Sequence, residues 1–249
     1  MLGLITHCGA QRVDRSQLGQ VVLPAQTETH LPIPHDYMAD LIEDRLNDAG
    51  LKIVQAEFAL GRHGADMFGI MEVGSARGDD FATVVGFRNS HVKKLSAGLV
   101  IGKGVFVCDN LCFSGEVGFG RRHTLRILDD LPDLITDAVG QVLGINEMQV
   151  ARSEAYKSTT ISERHADHLI MNMLREGVIN TQRVEKVVAE WDVPSHEEFK
   201  NTGRSVWRLE QATTEALKGS NIIQMPDRTQ KLVTLLDEAA QFEPIALAA

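Results

Sequence analysis

The alternation of hydrophobic and polar positions changes rhythm twice along this chain. The first thirty or so residues show no clear period and predict an extended N-terminal arm over 1–34. LPIPHDYMADLIEDRLNDAG then shows a helical stripe through Leu41, Ile42 and Leu46. Pro34 precedes it, Asp36 is a candidate N-cap, and Gly50 ends it. Beyond Gly50 the period falls to near two. KIVQAEFAL, DMFGIMEV, FATVVGFRNS, LSAGLVI and VFVCDN are short and rich in β-branched and aromatic residues. GRHGA and GSARGDD separate the first three, and Gly102-Lys103-Gly104 predicts a hairpin turn between the last two.

From His123 onward the period is helical again. TLRILDDLPDLITDAVGQVLG is expected to kink or split at Pro132. SERHADHLIMNMLREG reads as a helix capped near Ser162 and stopped at Gly177. TQRVEKVVAEWDV, RSVWRLEQATTEALKG and DRTQKLVTLLDEAAQ follow, with DVPSHEEFKNTG as a loop. Trp207 shares an amphipathic helix with Val206, Leu209 and Leu217 and is expected in the core. The pattern predicts an α+β protein: an N-terminal helix, a central antiparallel β-meander and a helical C-terminal third. Residues 35–126 would form the core and 127–249 a helical region packed on it.

Composition adds little to this. The chain has 249 residues, 43% hydrophobic and 24% charged, enough for a full core. Three cysteines without framework spacing argue against a disulfide-stapled secreted protein. No segment has a long apolar run, and the N-terminus lacks a charged leader followed by one. A cytoplasmic protein is the expectation.

Charge changes the picture more. The net charge of −9 argues at first against a nucleic-acid partner. Yet residues 86–126 carry seven Lys/Arg against Asp109 and Glu116, a local +5, while the flanks carry −6 and −8. The positive charge is local.

Within that window Arg88 offers a forked donor, Asn89, Ser90 and His91 offer hydrogen bonds, and Lys93 and Lys94 offer point charges. Lys103, Arg121 and Arg122 extend the set as candidate backbone contacts, and Phe87 or Phe106 would stack on bases. An aromatic content of 5% limits the stacking part. The plain alternative is a solvated strand end.

Cys108 and Cys112 form a C-x3-C pair with His91 and His123 near in sequence. The spacing does not match a closed zinc site, so no tightly bound metal is expected. Cys8 in THCGA has no assignable base. Asp109, Asn110, Ser114, Glu116 and His123 form a dense polar set, read either as turn chemistry or as part of a hydrolase. His165 and His168 lie three apart on a helix without carboxylates to complete a site. G-x-x-x-x-G-K-[ST] and G-x-G-x-x-G are both absent, so no nucleotide loop and no cofactor are implied.

THCGA, TETHLPIPH, MFGIMEV, GFRNSHVKKLSAGLVIGKGVFVCDNLCFSGE, RRHT and SVWRLEQATTEAL together resemble the phage/plasmid-like proteins of a bacterial domain family of unknown function. The resemblance covers most of the chain. It departs at Val92, where an acidic residue would be expected after RNSH. It implies a protein of mobile elements made inside a bacterium. The element order also looks similar to phage single-strand annealing proteins, in which a helix packs on a β-meander and further helices follow. The expectation is therefore a non-enzymatic protein that binds or anneals single-stranded nucleic acid as a homo-oligomer in phage or plasmid DNA recombination. Two rivals stand beside it. One is a phage-encoded inhibitor of a host protein acting through the acidic helical part. The other is a nucleotide or nucleic-acid hydrolase using Asp109, Glu116, His91 and His123.

Overall fold

A computed structural model describes residues 10–77, 81–105, 111–112, 118–220 and 224–244. The fold is α+β. The meander runs through β2 (Ile53–Gly61), β3 (Asp66–Arg77), β4 (Phe81–Ser90) and β5 (Ala97–Val105), each antiparallel to the next. These strands alternate apolar residues to both faces because both faces are covered.

The arm is not merely extended. β1 (Gln11–Val13) pairs with β2, and α1 (Arg15–Leu18) buries Leu18. At the other side β6 (Leu111–Cys112) and β7 (Gly118–Arg121) both pair with β5, giving seven strands among the described residues.

α2 (His35–Asp48) begins two residues before the sequence placed it. Pro34 occupies the N-cap position, and Asp36 accepts the Tyr37 N–H from inside the first turn. Gly50 ends the turn with φ +72, a conformation that costs a side-chain-bearing residue energy. Its face buries Met38, Leu41, Ile42 and Leu46 against Met71, Val85, Leu99 and Ile101 of the sheet. α3 (Ile127–Gly140) packs into the same layer through Ile127, Leu131 and Ile135. Pro132 lies inside α3 without dividing it, and the chain breaks instead at Gln141, before α4 (Val142–Ser158).

The opposite sheet face, through Ile70, Phe81 and Val84, meets the C-terminal helices. These are α5 (Glu163–Arg175), α6 (Thr181–Asp192), α7 (Glu197–Lys200), α8 (Val206–Leu217) and α9 (Met225–Ala240). Ser162 caps α5, Gly177 follows it with φ +75, and Ser205 caps α8. Trp207 is buried, as its amphipathic helix implied.

One turn expectation fails. Gly102, Lys103 and Gly104 do not form a hairpin; they pair with Val84, Thr83 and Ala82 inside β5. A lysine is tolerated there because α8 brings Glu210 against it: Lys103 Nζ lies 2.8 and 2.9 Å from the two carboxylate oxygens. VFVCDN falls largely outside the described residues.

Candidate nucleic-acid interface

One end of the sheet collects turns from four parts of the chain. Asp66 pairs with Ser90, Arg88 with Gly98, and Gly98 with Gly120, while Ala97 pairs with Arg121. Arg62–Ala65, residues 91–96, residues 122–126 and the arm over 27–34 therefore meet at the same edge. Gly98 and Gly118 let β5 and β7 approach closely: a Cβ at Gly98 would lie 3.0 Å from the Phe119 carbonyl, and one at Gly118 2.7 Å from that of Leu99.

On this edge Lys93, Lys94, Arg122 and Arg126 are exposed, and Arg88 is half-buried against Gly98. Burial lowers the Arg88 pKa, since desolvation disfavours its charge. Lys93 donates to the Thr29 hydroxyl at 2.9 Å, which ties the turn to the arm. Arg121 is bound by Asp130, with Nε 3.0 Å from the carboxylate. Arg62 sits 3.0 Å from Asp66, and Asp66 also accepts the Ser90 hydroxyl at 2.7 Å. Arg62 and His63 carry φ +50 and +57, two successive left-handed residues in the β2–β3 turn. Strain of this kind persists only where the surroundings impose it. Here the Gly64 carbonyl accepts from His35 Nε2 at 2.9 Å, and the Ala65 carbonyl accepts the His91 N–H at 2.8 Å.

Beneath the exposed cations lies a buried node of four histidines around one asparagine. Asn89 Nδ2 donates to the Ile33 carbonyl at 2.7 Å and to His35 Nδ1 at 3.0 Å. Its Oδ1 accepts the Ser90 N–H at 2.9 Å and His123 Nε2–H at 2.8 Å. All four hydrogen-bonding positions of the amide are filled. His91 Nε2–H donates to the Ile33 carbonyl at 3.0 Å, and His30 Nε2–H to the His91 carbonyl at 3.2 Å. These acceptors fix every ring as the Nε2–H tautomer. His35 and His91 stack at 3.8 Å, and His30 lies 5.3 Å from His123. Burial, reinforced by the neighbouring rings, pushes His35 and His123 down to about 4; burial lowers His91 as well, against the pull of the Ile33 carbonyl.

Of the residues singled out in the sequence, Arg88, Lys93, Lys94, Arg121 and Arg122 lie on this rim. Asn89 and His91 lie under it, with their donors spent on the protein, so they are supports and not contacts. Lys103 is five residues along β5 from Gly98, roughly 16 Å away, and is sealed under α8. Phe87 cannot stack on a base, because its ring lies on Gly69 and against Phe58 in the core. Cys8, Phe106, Cys108, Asp109, Asn110, Ser114 and Glu116 fall outside the described residues. The two histidines of the hydrolase reading, His91 and His123, are buried members of the node. Among the described residues no three His, Cys, Asp or Glu side chains converge as a metal ion would need.

Sequence reasoning missed His30, His35, Arg62 and Arg126. The signal for the histidines was present: TETH, PIPH, RNSH and RRHT are stretches on which the family resemblance rests, and they meet in space. SVWRLEQ, from the same set, supplies Trp207 and Glu210 to the Lys103 site instead.

Fold and site together define an α+β protein with a cationic sheet end seated on a buried histidine node. No protein-family model, curated protein or solved structure matches the chain. Among the described residues no helix is long and apolar enough to cross a membrane.

Proposed function

We propose that this protein binds single-stranded nucleic acid, without catalysis, through the rim formed by Arg88, Lys93, Lys94, Arg121 and Arg122, with Arg62 and Arg126 beside them. The observation that carries the reading is convergence. On a chain of net charge −9, cations from separate turns gather at one sheet end, while two acids beside them, Asp66 and Asp130, are bound to Arg62 and Arg121. A localised positive field attracts a phosphate backbone without making the whole body adhesive. The cations sit around short turns and not along a protruding helix or ribbon, which favours a flexible single strand over a major groove. With Phe87 in the core, affinity would come mainly from backbone charge. Taken with the family resemblance, this fits a homo-oligomeric protein of phage or plasmid DNA metabolism.

Salt-dependent anisotropy titration of a labelled oligo-dT tests it. Four exposed cations would give a slope of roughly −3 in log K against log salt, at about −0.7 per contact. Lys93→Ala with Lys94→Ala should make the slope shallower by one to one and a half units, roughly. Lys186→Ala with Lys218→Ala removes two lysines that pair with Glu215 and should leave the slope unchanged. Equal slopes for all three proteins, or no binding at the lowest salt, would sink the reading.

A further inference from the structure

Asn89 is fully occupied by its neighbours, and those neighbours lie on the segments that carry the rim. Ile33 and His35 anchor the arm and the start of α2. The Ser90 N–H opens the β4–β5 turn that presents Lys93 and Lys94. His123 directly follows Arg121 and Arg122. The rim cations share no single element, so their relative placement depends on this node.

We infer that Asn89 is the positioning residue of the cationic rim, and that polyanion binding requires its histidine partners to be uncharged. The inference rests on the rim reading above. The amide has two donors and two acceptor positions: the Ile33 carbonyl and the Ser90 N–H fill two with backbone groups, and His35 and His123 fill the other two. A proton on His35 Nδ1 would turn the acceptor of Asn89 Nδ2–H into a second donor facing it, and that bond would be lost. His30, His91 and His123 already hold a proton on Nε2, so a second proton would place a cation inside the cluster. The groups facing the rings are the other histidines, Asp36 at the start of α2, and Asp66 on β3. Asp66 is already bound by Arg62 and Ser90, which leaves it little capacity to offset new charge.

The pH dependence follows with a definite sign. Burial holds His35 and His123 at about 4, so the two rings bonded to Asn89 are uncharged near neutrality. In released segments histidine returns to its ordinary value near 6.5, so each pH unit below that favours release by about tenfold per histidine. General electrostatics runs the other way: a chain that grows more positive in acid should hold a polyanion more tightly. The node makes binding weaken where charge alone would make it strengthen.

The test measures oligo-dT affinity of the full chain from about pH 7.5 to about pH 5.5, across the histidine range. Near-ultraviolet circular dichroism confirms that the protein stays folded, and hydrogen exchange reports on residues 27–34. Affinity is expected to fall by about tenfold or more in acid, with exchange of 27–34 rising in step. Asn89→Asp should bind weakly at neutral pH and recover part of its affinity in acid, where doubly protonated His35 and His123 can donate to a carboxylate. Wild-type affinity that rises steadily in acid overturns the inference and leaves the rim reading standing. So does an Asn89→Asp protein that matches wild type at neutral pH. If Asn89→Asp does not fold, the wild-type profile decides alone. No binding at any pH overturns the rim reading and this inference together.

Discussion

Lys103 and Glu210 form an ion pair sealed between β5 and α8, with side-chain exposures of 4% and 0%. The ammonium also lies 4.9 Å from the centre of the Trp207 ring. Breaking such a pair strands a buried charge, at a cost of about 3–5 kcal/mol. Lys103→Met should lower stability by that order in a urea titration, and adding Glu210→Leu should restore most of it. Oligo-dT binding of the folded Lys103→Met protein should match wild type. A large loss of binding with stability intact would place Lys103 at the interface after all.

Trp207 is 2% exposed and sits among the packed residues of the C-terminal helices. Trp207→Ala should cost about 3–5 kcal/mol through lost transfer energy and the cavity left behind. An unchanged melting temperature would mean that the helical layer does not pack on the sheet as described.

Gly69 is where the Phe87 ring rests. A Cβ at that position would lie 2.2 Å from the ring tip, so Gly69→Ala must displace the phenyl group. Overpacking of this kind costs about 1–3 kcal/mol. Combining it with Phe87→Leu should recover part of the loss, and a double-mutant cycle on thermal unfolding measures the coupling. Additive effects would contradict the contact.

Acid should destabilise the whole fold as well as the rim. His35 and His123 are held at about 4, below the unfolded value near 6.5. The unfolded chain therefore takes up more protons below 6.5. The stability linked to these groups is complete above that pH and is lost as the pH falls toward 4. The slope approaches about 1.4 kcal/mol per pH unit for each histidine, with an upper limit of roughly 3 kcal/mol apiece. Urea midpoints measured at several pH values should follow this fall, and His123→Gln should flatten it by about one histidine's share.

The meander, the helical third, the cap at Ser162 and the stop at Gly177 were legible because local chemistry sets them: side-chain period, a hydroxyl cap and glycine's freedom at positive φ. Lys103 misled because glycines flanking a lysine look like a turn when the counter-charge, Glu210, lies over a hundred residues away. Asn89 and His91 misled for the opposite reason. Their polar atoms read as ligand contacts, and nothing local shows that Ile33 and His35 take their donors while His123 fills the Asn89 acceptor. The charge window located the rim but not its depth, since burial is a property of the packed chain. Arg62 stayed hidden in an acidic stretch, and pairing of Asp66 with Ser90 brings its turn beside the lysines.

The short β1 strand has a role its size conceals. β2 is nine residues long and would otherwise close the sheet with an open row of backbone donors and acceptors. Gln11–Val13 covers Phe58–Leu60 of that row, and Arg12 places a charge beside Glu57 at its margin, 3.4 Å away. The segment that guards this edge belongs to the same arm that the histidine node fastens down. Proton uptake at the node would therefore loosen a guard against strand-to-strand association between molecules, joining solubility in acid to the asparagine that orders the rim.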